Sequence, residues 1–114
     1  LPICLKRKDI RELDMDEICS DIIISSMTLI YIPPNDIKSI LKIIKEKSKV
    51  GFLLQELNSS KDIIKEASYA YDYKSILSEL NFSEEFYISY QKIDHKPWIR
   101  KNSFGLQIQG IRKQ

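Results

Sequence analysis

The stretch Asp21-Ile22-Ile23-Ile24-Ser25-Ser26-Met27 constrains the fold of this chain more than any other. An acidic residue opens a run of isoleucines, and the run stops in two serines. Residues 22–24 lack the polar alternation of a strand with one wet face. The strand they suggest is covered on both faces, as strands inside a parallel sheet are. In open α/β sheets, ligands sit just beyond the carboxyl ends of the strands. Ser25, Ser26 and Met27 lie at that end. A buried strand closing in a serine turn, with no ligand, fits the same residues equally well.

A second apolar segment, Thr28-Leu29-Ile30-Tyr31-Ile32, runs into Pro33-Pro34. The prolines block helix upstream, and Asn35 or Asp36 supplies an N-cap. Ile37, Ile40, Leu41, Ile43 and Ile44 then recur at helical spacing, with Lys38, Lys42, Lys45 and Lys47 largely on the other side. This is an amphipathic helix laid on a sheet, its lysines forming a solvated face. Val50-Gly51-Phe52-Leu53-Leu54-Gln55-Glu56-Leu57 reads as the next buried strand. Strand, helix and strand this close together make a parallel crossover. Asn58-Ser59-Ser60 ends that strand and is expected to cap a helix running to roughly Ala70. A second helical segment carries Tyr73, Ile76, Leu77 and Leu80, with Asn81 as its C-cap.

From Phe82 the period changes to two. Phe86, Ile88 and Tyr90, then Phe104, Leu106 and Ile108, alternate with polar neighbours. Residues 84–93 and 103–112 therefore read as an antiparallel pair. Their connection, residues 94–102, holds the lone Trp98 and the lone His95. Trp98 is either part of a binding loop or a plug at the core edge. No partner in the sequence gives His95 a catalytic role. At the other end, Ile3-Cys4-Leu5-Lys6-Arg7-Lys8 starts as an alternating strand whose basic side chains suit a sheet edge. Asp14, Asp16 and Glu17 form an acidic cluster without the glycine or later ligands of a calcium loop, and read as a solvated turn.

Composition narrows the function classes. With 18 basic and 16 acidic residues in 114, the net charge is +2 and the signs are interspersed. Nothing here requires a nucleic acid or an acidic membrane as partner. Cys4 and Cys19 fit no metal spacing, so no metal site is expected, and reduced thiols suit a cytoplasmic protein. No apolar run reaches the roughly 20 residues of a membrane span. The three glycines form no GxGxxG loop. Together with the Leu1-Pro2 start, this reads as the downstream part of a longer chain, although removal of a tag would also explain it.

The predicted order is strand, strand, helix, strand, helix and antiparallel hairpin. With Asp21 to Pro33 in the middle, it resembles the C-terminal half of a class I S-adenosylmethionine-dependent methyltransferase. In that family a segment like Asp21-Ile22-Ile23-Ile24-Ser25-Ser26 forms the fourth strand. A strand reading like Gly51 to Glu56 forms the fifth, and one strand of a closing antiparallel pair inserts into the sheet. The match covers nearly the whole chain on motifs of moderate specificity. The expected fold is thus an α/β, Rossmann-like partial domain spanning residues 1–114: parallel strands with helices, ending in an antiparallel strand pair.

The resemblance also implies roles. Asp9 looks like the acidic residue that accepts from the adenine amino group, and Ile10 would offer its backbone N–H to the ring. Ser25, Ser26 and Met27 would line the methionine end of S-adenosylmethionine. Tyr31 and Trp98 would line the pocket of the methyl-acceptor substrate. The histidine often found near the end of this segment in the family is Ile30 or Tyr31 here. The sulfonium is intrinsically reactive, so the protein mainly aligns the reactants; a base is needed only if the acceptor must lose a proton. The family's third strand lies away from the fourth, so residues 3–8 would lack a neighbour and invite pairing with the missing N-terminal half or another chain. A non-catalytic methyltransferase-like module and a different nucleotide-binding α/β enzyme are the competing readings.

Overall fold

The computed structural model describes residues 7–12, 20–60, 62–65, 68–93 and 103–114. The expected edge strand over residues 3–8, the acidic cluster of Asp14, Asp16 and Glu17, both cysteines and the 94–102 connection with His95 and Trp98 fall wholly or mainly outside them.

The isoleucine run forms β1 (Ser20–Ser26), and after a 3-10 turn (Leu29–Tyr31) the helix α1 (Pro34–Lys47) passes directly into β2 (Ser48–Ser59). β1 and β2 pair in parallel, Ile23 opposite Phe52 and Ile24 opposite Leu53. The N-cap is Pro33, with Pro34 in the first turn, and not Asn35 or Asp36. Proline has no N–H to leave unsatisfied there and its fixed φ suits the first turn, so the helix starts earlier than a side-chain cap would have started it. Ile37, Ile40, Leu41 and Ile44 are the buried stripe.

The segment after β2 is not a helix. It holds two short antiparallel strands, β3 (Ile63–Lys65) and β4 (Ser68–Ala70). Ile63 and Ile64 are β-branched and Tyr69 and Tyr71 aromatic, which favours extended backbone. The capping chemistry of Asn58 is used at longer range. Its Oδ1 accepts the N–H of Tyr73, 3.0 Å away, at the start of α2 (Tyr73–Glu79). Asp72 is the N-cap of α2, accepting from the Ser75 N–H at 3.4 Å and the Ser75 hydroxyl at 3.0 Å. We expect Asp72→Ala to cost about 1 kcal/mol in a denaturant melt. Asn81, at φ 59°, supplies the left-handed residue that closes α2. The turn α3 (Phe82–Glu85) then leads into β5 (Phe86–Ile93), so the strand starts two residues later than expected.

β6 (Ser103–Arg112) runs antiparallel to both β2 and β5 and lies between them, giving the strand order β1-β2-β6-β5. The helices cover one face. There Phe52 meets Phe82 and Phe86 edge-on, at centroid distances of 5.5 and 5.0 Å, above Gly110. Arg112 lies over the Phe86 ring, 4.4 Å from its centroid, and donates to the backbone carbonyls of Lys45 and Ser48 at the end of α1. A cation there satisfies orphan carbonyls and opposes the helix dipole.

One expectation fails outright. β1 is not covered on both faces: Ile22 is 56% and Ile24 67% exposed, while Ile23 packs against the core. Val50 and Ile111 are exposed too. Among the described residues, β1 pairs on one side only. An unbroken apolar run reports that a strand suits two covered faces, not that this polypeptide supplies both covers. No helix among the described residues is long and apolar enough to cross a membrane.

Candidate functional site

Buried polar side chains gather at the carboxyl ends of β1 and β2: Ser25, Glu56, Asn58 and Ser59, with Ser103 opposite Ser59 on β6. Apolar cores rarely bury so much polarity in one place without a use for it.

The strand period sends the two serines of β1 to opposite faces. Ser25 turns toward the helix layer, and its hydroxyl donates to Glu56 Oε1 at 2.9 Å. It lines an open apolar groove of about 340 Å³ with Ile10, Ile23, Thr28, Ile40 and Ile43. Ser26 turns the other way, and its Oγ donates to Gln55 Oε1 at 3.4 Å. Gln55 in turn donates from Nε2 to Gln107 on β6 at 3.1 Å. Ser26, Met27, Gln55, Glu56, Leu57, Ile93 and Gly105 line a second cleft of about 210 Å³. The structure thus brings Ser26 and Met27 together at the strand ends and places Ser25 with Ile10 in the neighbouring groove.

Met27 carries the turn. Its φ is 51°, in the left-handed region, and its N–H donates to the Gln55 carbonyl at 2.8 Å. A non-glycine residue held there costs free energy and clusters at functional sites. Thr28 Oγ1 donates to the Ser26 carbonyl at 3.2 Å. Tyr31, the expected substrate-lining residue, is exposed on the 3-10 turn.

Asp9 and Ile10 stand beside α1. Arg11 grips the Asp9 carboxylate with Nη2 at 2.6 Å and Nε at 3.0 Å and reaches Asp36 at 3.6 Å. The Arg11 hydrogen bonds hold Asp9 down to about 2. Its carboxylate therefore already has a partner, and an adenine amino group would share it with Arg11.

The residue that sequence reasoning assigned no role is Glu56. It is 1% exposed, and its second carboxylate oxygen has no hydrogen-bond partner among the described residues. Burial pushes it up to about 7, against the opposing pull of the Ser25 hydroxyl and the backbone amides of Leu29 and Thr28. Tyr73 is buried nearby, its hydroxyl also without a partner among the described residues; burial, then the charge of Glu56, raises it well above its ordinary value. A carboxyl held near neutrality inside a site can take or give a proton at physiological pH. The signal was present in the sequence: Phe52, Leu54 and Glu56 share one strand parity, so a glutamate stands where the pattern calls for an apolar side chain. Among the described residues no cluster of three acidic, His or Cys side chains could hold a metal ion. Neither a scan against protein-family models nor a search of curated proteins finds a match to this chain.

Proposed function

We propose that this chain is the C-terminal part of a class I S-adenosylmethionine-dependent methyltransferase. The observation that carries the reading is the sheet order: two parallel strands joined through a helix, then an antiparallel strand inserted between the second of them and the chain's penultimate strand. That is the arrangement the sequence resemblance implies for strands four to seven of that fold. The cleft at the strand ends also supports it. The Ser26 hydroxyl and the Gln55 amide offer polar contacts suited to the methionine end of the cofactor, and Met27 borders the same space. When bound, the sulfonium supplies an activated methyl group. The protein's part is to hold the acceptor in line with it. Glu56, near neutrality, is the group here suited to receive an acceptor's proton.

A second reading is a non-catalytic methyltransferase-like module. The pairing of Asp9 with Arg11 and the exposed Ile22 and Ile24 favour it, since one engages the adenine-binding candidate and the other leaves an apolar face bare. Calorimetric titration with S-adenosylhomocysteine separates the two. Saturable heat that is lost in a Ser26→Trp variant supports the enzyme; no heat from this chain, or from one extended upstream, overturns it.

A further inference from the structure

β1 reads almost the same in both directions about its central residue: Ser20-Asp21-Ile22, then Ile23, then Ile24-Ser25-Ser26. Such a strand is complementary to a second copy of itself running the opposite way. We propose that the outer edge of β1 is a homodimer interface, in which two copies of this chain pair antiparallel about a two-fold axis at Ile23 and join their four-stranded sheets into one. This goes beyond the methyl-transfer reading and does not rest on it.

The backbone decides which residues can pair outward. In a parallel ladder the N–H and C=O of one residue point to the same side, and the side alternates along the strand. The Met27 N–H donates to the Gln55 carbonyl of β2 at 2.8 Å, and Ser26 is the register partner of Gln55. Ile23 and Ser25 therefore direct their N–H and C=O groups to β2, and Ile22, Ile24 and Ser26 direct theirs away from it. Among the described residues, β2 is the one strand beside β1. A two-fold axis at Ile23 uses this parity. Ile22 then faces Ile24 of the second copy, and Ile24 faces Ile22 of the second copy, each pair exchanging both of its hydrogen bonds.

Charge fits the same axis. Asp21 is the one ionisable residue of the strand, and it meets Ser25 of the second copy, not its own counterpart, so no like charges oppose. Ser20 meets Ser26 of the second copy at either end. Shifting the axis along the strand shortens the overlap. The side chains add to the fit. Ile22 and Ile24 are exposed and stand beside Gly51, Leu53, Gln109 and Ile111 on the sheet face opposite Ile23 and the helices. These positions carry no charge, although 30% of the chain is charged. Pairing gathers four isoleucines there, two from each copy, and shields apolar area along with the hydrogen bonds. One strand pair buries less than the roughly 800 Å² per partner of a standard interface. The expected dimer is accordingly weak, with a Kd on the order of 100 μM.

The test is sedimentation equilibrium of the whole chain from about 10 μM to about 1 mM, with amide hydrogen exchange at both ends of that range. Monomer should pass to dimer and to nothing larger, because a two-fold contact closes on itself. The Ile22 and Ile24 amides should exchange freely in the dilute chain and several-fold more slowly in the concentrated one. Those of Ile23 and Ser25 should be protected in both. Ile22→Lys and Ile24→Glu change exposed side chains, so both variants should fold, and each alone should stay monomeric. An equimolar mixture of the two should recover a dimer, because the axis sets position 22 of one copy against position 24 of the other. A chain that stays monomeric up to about 1 mM overturns the proposal. So does slow exchange at Ile22 and Ile24 in the dilute chain, which means that another segment of the same chain fills the edge. A dimer that persists in both single variants, or a mixture that fails to pair, overturns it as well.

Discussion

Glu56→Gln is expected to raise stability by about 1 kcal/mol at pH 5 and by up to about 3 kcal/mol at pH 8. The sign follows from the direction of the shift. Glu56 titrates at 4.5 in the unfolded chain and at about 7 in the folded one. Between those values the folded state binds the proton more tightly, so stability falls as pH rises through the window. The stabilising effect of the bound proton is fully present below 4.5 and gone above about 7. A shift of this size, at about 1.4 kcal/mol per unit, corresponds to about 3 kcal/mol. Glutamine keeps an acceptor for the Ser25 hydroxyl and never ionises. Urea melts of both proteins at pH 5, 6, 7 and 8 would show it. Every other titrating group is common to the two proteins, so the difference between the two curves isolates Glu56. Parallel curves would mean that the carboxyl titrates as if in water.

The second large effect lies under the helices. Phe52→Ala should cost about 3–5 kcal/mol, as deletion of a buried aromatic side chain does. In a domain of this size that lowers the melting temperature by roughly 15 °C. Phe52 is buried between two other phenyl rings and covers the bare backbone of Gly110. Gly110→Ala places a Cβ against the Phe52 ring, and this overpacking should cost about 1–3 kcal/mol on its own. The two changes share one space. The double variant should therefore be more stable than the sum of the single costs predicts, by about 1 kcal/mol or more. Thermal melts of the four proteins close the cycle, and strict additivity would mean that the ring and the glycine are not in contact.

Much of this architecture was readable from residue order because local pattern and tertiary need agree there. The 3.6-residue recurrence of Ile37, Ile40, Leu41 and Ile44 and the two-residue alternation around Phe86 and Leu106 each find their faces. The helix expected from Asn58 to Ala70 failed because polar cap residues mark a helix start without saying how far off it is. Asn58 does serve α2, but from the far side of a hairpin. The candidate rim was half legible. Hydroxyls after an apolar run announce a strand end, but strand alternation sends Ser25 and Ser26 to opposite faces and makes two clefts instead of one. Glu56 was hidden inside the apolar segment that identified its strand.

Among the described residues nothing pairs with the outer flank of β1, and that flank has a directional stickiness. Ser20–Ser26 contains no lysine and no proline, the residues that usually discourage sheet growth, and its exposed isoleucines add a greasy margin to a row of peptide donors and acceptors that no described strand fills. Any extended peptide that reaches this side can continue the sheet at little cost. Concentration therefore acts on this protein as a chemical variable, and one charged substitution at Ile22 or Ile24 would turn the flank from an invitation into a barrier.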